Sequence, residues 1–192
     1  MNLKNNKYPG DILLQMRELK SSIRQILRQR KDSMTPEERL EKSKRICCHL
    51  LELITDGETV MVYTSKEKEV NTANLITTLL GRGNPVVVPI IVKEDISLRL
   101  SYLIDLSSLV TSTFGVPEPI GSEIPVTGDD VNTIILPMHG FDRTGRRKES
   151  PPAFWRKFSP PNQSGLCVYA VPDGFRLSGV WVLVQTAFVP CL

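Results

Sequence analysis

Between Thr59 and Ile90 the chain changes period twice, and this limits its fold more than any other feature. "TVMVY" (59–63) reads as a strand buried on both faces. "TANLITTLLG" (72–81) reads as a helix closed by Gly81, and "PVVVPI" (85–90) as a second buried strand. A strand, a helix and a strand in this order make a parallel crossover, the unit of α/β folds. "LRLSYL" (98–103) adds a strand, and "VNTIILP" (131–137) adds another that runs into "MHGFDRTGRR" (138–147). Ligands of open α/β sheets gather beyond the carboxyl ends of the strands, which is where this last loop would fall. The expected architecture is therefore α/β, a three-layer fold with a mostly parallel central sheet and flanking helices. At 192 residues the chain has length for one substantial core, so residues 1–192 are expected to form a single domain.

Two helices should precede this sheet. Met16, Leu19, Ile23, Ile26 and Leu27 recur at three- and four-residue intervals, with Arg17, Lys20, Arg24, Arg28 and Arg30 available to the other face. "MTPEERL" (34–40) then carries a start signal: Thr35 as N-cap, Pro36 in the first turn and Glu38 completing a capping box. Leu40, Ile46, Cys47, Leu50, Leu51 and Ile54 would form the apolar face of that second helix.

Charge is close to balanced, 24 Lys+Arg against 21 Asp+Glu, which argues against nonspecific nucleic-acid binding as the main role. The arginine-rich first helix is the one feature that would favour it. No apolar run is long enough for a membrane span, and "MNLKNNKYPG" lacks a signal-peptide core. A cytoplasmic, monomeric protein is expected. The cysteines at 47, 48, 167 and 191 have no metal-knuckle spacing and are expected to be reduced, buried thiols.

The last 42 residues differ in kind from the rest. Residues 151–192 carry only Arg156, Lys157, Asp173 and Arg176 as charges, yet six of the 14 prolines. "LCVYAV" (166–171) and "VWVLV" (180–184) read as strands with no amphipathic helix between them. The segment either completes the same sheet or fails to.

Several side chains could carry chemistry. Lys20 and Arg24, four apart, project from one helix face and together could grip a polyphosphate, although solvated helix cations are the ordinary alternative. Glu69, in "YTSKEKEVNT" (63–72), offers two acceptor oxygens to a heterocycle with amino and imino N–H groups; an exposed strand-end acid is its plainer reading. Arg147 could neutralise charge on a transferred phosphoryl group, or be half of a surface arginine pair. His139 stands at a strand end with no evident partner. Neither a Ser/His/Asp order nor metal-ligand spacing nor a P-loop is present.

Taken together, "LKSSIRQILRQRKDSMTPEER", "VYTSKEKEVNT", "FGVPEP" and "IILPMHGFDRTGRR" resemble, in order and separation, the 5-formyltetrahydrofolate cyclo-ligases, also called methenyltetrahydrofolate synthetases. The resemblance covers about residues 17 to 147. It implies conversion of 5-formyltetrahydrofolate and ATP, with Mg2+, into 5,10-methenyltetrahydrofolate, ADP and phosphate. ATP would phosphorylate the formyl oxygen, and N10 would attack the activated carbon before phosphate leaves. By the same resemblance Lys20 and Arg24 match the ATP-contacting pair, and Glu69 matches the carboxylate that contacts the folate.

The family's next motif runs G-x-R-L-G-x-G-x-G-Y-Y-D-R. Gly145 and Arg147 match it, which by resemblance makes both ATP-contacting and Arg147 catalytic. Lys148-Glu149-Ser150-Pro151-Pro152-Ala153 then stands where the leucine and glycines belong. Phe154 and Trp155 occupy the aromatic pair, where they could stack on a pterin or adenine ring. Arg156 replaces the aspartate associated with magnesium, so no metal ligand is assigned. Proline has no N–H to offer an anion and fixes φ, so Pro151 and Pro152 do not substitute for glycines there. The chain is therefore expected to turn over slowly or not at all. Residues 148–192 are either a shifted reading frame or a diverged segment of a relative that binds folate or nucleotide without converting it.

Overall fold

The computed structural model describes residues 10–137 and three strands at 166–170, 173–177 and 181–186. Helix α1 spans Gly10–Ser33 and α2 spans Pro36–Leu53. Strand β1 (Val60–Val62), helix α3 (Ala73–Gly81) and strand β2 (Val86–Val92) follow. Next come β3 (Ser97–Leu103), the short strands β4 (Val110–Thr111), β5 (Pro117–Glu118) and β6 (Ile124–Val126), and then β7 (Thr133–Pro137). The remaining strands are β8 (Leu166–Ala170), β9 (Asp173–Leu177) and β10 (Trp181–Thr186).

The central sheet has the order β6-β3-β2-β1-β7-β8-β10-β9. The five strands from β2 to β10 run parallel, while β3, β6 and β9 attach antiparallel at the edges. The expected strand–helix–strand crossover is β1–α3–β2, with Val60 opposite Val86. "LCVYAV" and "VWVLV" both contribute paired strands, β8 alongside β7 and β10 alongside β8. β9 was not foreseen. "DGFRL" carries a glycine and two charges and so has neither the apolar run nor the strict alternation that marks a strand.

Successive residues of a strand point to opposite faces. Val60 and Val62 of β1, with Val86 and Val88 of β2, meet Ile46 and Leu50 of α2 and Leu75, Ile76 and Leu79 of α3 on one face. Met61, Val87 and Ile134 lie in a separate apolar cluster on the other face, and Met61 and Val87 are fully buried there. Each such side chain contributes about 1.5–3 kcal/mol by leaving water, so the two faces together make the parallel centre the stable part of the molecule.

The capping box of α2 is formed as expected. Glu38 N–H donates to Thr35 Oγ1 at 3.2 Å, and Thr35 N–H donates to Glu38 Oε2 at 3.0 Å. Three expectations about exposure need correction. Leu40 is 45% exposed and does not join the face of α2. Cys47 is buried beside Ile46 but its neighbour Cys48 is exposed, because a further step of about 100° around the helix carries it past the edge of the covered face. The apolar stripe of α1 is also largely open, with Met16 44%, Leu19 62% and Ile26 45% exposed. Periodicity locates the stripe but not what covers it.

Candidate active site

β1 ends at Val62, and the chain then passes through a turn before α3 begins at Ala73. Glu69 sits in this turn, just beyond the carboxyl end of a central parallel strand. β7, the strand beside β1, ends at Pro137, where residues 138–147 follow in sequence. The sheet therefore brings the start of both sequence motifs to the same edge.

The turn is tied down at almost every residue. Glu69 N–H donates to Lys66 O at 2.9 Å, and Lys66 N–H donates to Glu69 Oε2 at 3.0 Å. The carboxylate thus closes its own turn with one oxygen and retains acceptor capacity. Tyr63 Oη donates to Val70 O at 3.1 Å from a fully buried position. Burial, and next the Glu69 charge, push the Tyr63 phenol well above its ordinary range, so it stays a neutral donor. Thr72 Oγ1 donates to Tyr63 O at 2.8 Å, and Thr72 N–H to Ser65 Oγ at 3.2 Å. Thr64 Oγ1 donates to Pro117 O at 2.7 Å, which hangs β5 on the end of β1.

β5 brings in a second carboxyl, and unlike that of Glu69 it is buried. Glu118 is 0% exposed and accepts from Ile91 N–H through Oε1 at 2.8 Å, while its buried Oε2 has no hydrogen-bond partner among the described residues. Four residues earlier Phe114 is 67% exposed at φ 55°, a left-handed backbone that a bulky residue rarely adopts. Lys66 Nζ donates to Phe114 O at 2.6 Å, and Lys93 Nζ lies 5.8 Å from the Phe114 ring centroid.

From the other side, the corner between α1 and α2 reaches the same turn. Lys68 Nζ forms an ion pair with Asp32 Oδ1 at 2.6 Å, Arg39 Nη1 approaches Glu67 O at 3.5 Å, and Asn71 N–H donates to Ser43 Oγ at 3.0 Å. Met34, Arg39, Ser43, Lys68, Glu69 and Val70 line a small open depression at this junction.

Of the sequence-derived site residues, Arg24 and Lys20 both lie on α1, eight and twelve residues before Asp32. At 1.5 Å rise per residue that is roughly 12 and 18 Å along the helix axis from the ion pair. Arg24 is half-buried, and among the described residues no hydrogen bond or ion pair joins it to Glu69. The Lys20 side chain lies outside the described residues, as do His139, Gly145, Arg147, Phe154 and Trp155. Among the described residues no group of three His, Cys, Asp or Glu side chains converges to hold a metal ion, and no helix is long and apolar enough to cross a membrane.

Tyr63, Arg39, Ser43 and Glu118 were not singled out from sequence. Tyr63 closes "TVMVY" and Arg39 lies inside "MTPEERL", but a polar residue at the end of an apolar element was the only available signal.

Comparison with solved structures places this fold. A methenyltetrahydrofolate synthetase from Aquifex aeolicus, determined by NMR, superposes with a TM-score of 0.68 at 21% identity, covering 91% of this chain and 96% of its own. A 5,10-methenyltetrahydrofolate synthetase from Mycoplasma pneumoniae gives a TM-score of 0.64 at 12% identity, covering 88% of this chain and 99% of that one. No curated protein sequence matches the chain. The model of the 5-formyltetrahydrofolate cyclo-ligase family matches residues 16–148, more than half the chain. With the motif order, the sheet and the Glu69 turn in agreement, this chain belongs to the 5-formyltetrahydrofolate cyclo-ligase family.

Proposed function

We propose that the chain, as one domain, binds 5-formyltetrahydrofolate and ATP at the carboxyl edge of β1 and β7. The observation that carries this reading is the pinned turn holding Glu69 at that edge, within the segment that matches the family. Glu69 would accept from the amino and imino N–H groups of the pterin. Lys20 and Arg24 would hold the polyphosphate, with Gly145 and Arg147 closing on it from the loop after β7. Phe154 and Trp155 would stack on one of the rings.

In the forward reaction the formyl oxygen attacks the γ-phosphorus and ADP departs. The N10 nitrogen then adds to the activated carbon and loses its proton, and the C–O bond breaks to release phosphate and leave the methenyl bridge. An amide-like oxygen is a poor leaving group until phosphorylated, so the protein's task is to hold the γ-phosphoryl in line and offset its charge. Arg147 would supply that offset. Among the described residues no group of His, Cys, Asp or Glu side chains gathers to hold a metal ion, and magnesium would be carried on the phosphates of ATP.

A second reading rests on a specific observation: the family match stops at Lys148, where the glycines give way to Pro151 and Pro152. On that reading the chain binds folate or nucleotide and turns over slowly or not at all. Mixing the protein with 5-formyltetrahydrofolate, ATP and magnesium and following the methenyl product by absorbance separates the two. Product at a family-like rate favours the first. Calorimetric binding of 5-formyltetrahydrofolate or ADP without product favours the second, and neither binding nor product overturns both.

A further inference from the structure

Arg39 is placed where it can decide how Glu69 is presented. It sits in the first turns of α2, and its guanidinium spans two segments that are distant in sequence. Nη2 donates to Met34 O at 3.2 Å, at the corner between α1 and α2, and Nη1 reaches Glu67 O at 3.5 Å, inside the turn of Glu69. Its Nε is buried and has no hydrogen-bond partner among the described residues. Leaving a charged donor unpaired costs stability, which the two hydrogen bonds of the guanidinium must offset.

The surrounding contacts converge on the same turn. One helical turn along α2, Ser43 Oγ donates to Arg39 O at 2.7 Å and accepts from Asn71 N–H at 3.0 Å. Asp32, at the end of α1, pairs with Lys68, and the charge of Arg39 helps hold the Asp32 carboxyl below its ordinary range, after the larger effect of Lys68. Glu67, Lys68 and Asn71 are thus each anchored to the α1–α2 corner, and Glu69 lies between them.

We propose that Arg39 is a positioning residue for Glu69, acting with Ser43 to hold the 66–71 turn against the α1–α2 corner so that the carboxylate meets the pterin at a fixed angle. This rests on the reading of Glu69 as the folate contact. An arginine suits the task because its planar fork engages two carbonyls at once, whereas a lysine offers a single point charge. Arg39→Lys should therefore recover only part of the function.

The test is a double-mutant cycle on the affinity for 5-formyltetrahydrofolate, read by calorimetry with the full chain. Arg39→Met should weaken binding about tenfold, and in an E69Q background it should cost almost nothing further, because its effect runs through Glu69. Thermal melts establish that each variant is folded. If Arg39→Met does not fold, Ser43→Ala, which removes the acceptor for Asn71 N–H, takes its place in the same cycle. Losses that add independently, or an unchanged affinity in the single variant, overturn the proposal while leaving the folate reading intact. Failure of the unmodified chain to bind 5-formyltetrahydrofolate overturns the folate reading, and this proposal with it.

Discussion

Asp32, in the last turn of α1, lies 2.6 Å from Lys68, so the first helix and the turn of Glu69 share an ion pair. Both partners are more than half exposed, which makes the pair sensitive to salt and modest in strength. The Lys68 hydrogen bond, then its charge, lower the Asp32 pKa. A carboxyl with a lowered folded pKa stabilises the fold above its unfolded pKa and loses that contribution as pH falls through the folded value. Asp32→Asn should therefore lower the melting temperature slightly at neutral pH. The difference from the unmodified chain should disappear below the carboxylate range, and also in about 1 M salt, where screening acts within about 3 Å. A difference that survives high salt would show that Asp32 acts by something other than charge.

Tyr63→Phe removes the donor to Val70 O and should destabilise the protein by about 1–3 kcal/mol, the cost of leaving a buried acceptor unpaired. The same variant has a distinct alkaline behaviour. The folded pKa of Tyr63 is raised, so its contribution is fully present below the unfolded value near 10 and is lost as pH climbs toward the folded one. Denaturant midpoints measured from pH 8 to pH 11 should show the gap between the two proteins narrowing at the alkaline end.

Cys47 and Cys48 are adjacent in sequence but should react very differently. Burial pushes the Cys47 thiol up to about 11, and its Sγ donates to Asn71 O at 3.5 Å, whereas Cys48 is exposed. Alkylation with iodoacetamide at pH 8, mapped by mass spectrometry, should modify Cys48 promptly and Cys47 only on unfolding. Equal rates would contradict the packing of α2 on the sheet.

Turnover should respond to residues 148–153, which follow β7 in sequence. The combined substitution K148L, E149G, P151G and A153G restores the family spacing after Arg147 without touching the residues assigned to ligands. It returns N–H groups and free φ at positions now held by proline and by side chains. Methenyl formation should rise at least about tenfold, since a single missing anion donor costs on the order of 10²–10³ in turnover. An unchanged rate would place the defect elsewhere in residues 156–192.

The encoding DNA offers a separate check on the same region. If residues 148–192 come from a shifted frame, another frame there should encode G-x-G-x-G followed by aromatic and acidic residues. An intact frame with no such alternative would make the tail a diverged native segment. β8 and β10 lie paired in the sheet, and a native tail would use them so that unfolding is one cooperative transition.

Elements whose cause is local were legible in the sequence. Thr35 and Glu38 cap α2 through contacts three residues apart, and the runs of β1, β2 and β7 are apolar because parallel strands are covered on both faces. The place of Glu69 between a buried strand and a helix was legible from the change of period. What escaped depends on distant partners. Nothing near Ser43 in sequence marks it as the acceptor for Asn71, and nothing near Glu118 announces Ile91. The openness of α1 and of Cys48 escaped for the same reason, since period assigns a residue to a face and only packing decides whether that face is covered.

The position of β1 between β2 and β7 also has a consequence during synthesis. Thr59 N–H donates to the side chain of Asn132, 73 positions later, and Val60 lies opposite Thr133. One flank of the central strand therefore stays open until β7 has emerged from the ribosome. The turn of Glu69 does not wait for it, because every anchor described for that turn comes from residues up to Pro117. A nascent chain would thus hold every residue that anchors the carboxylate's turn before it held the strand that closes the sheet.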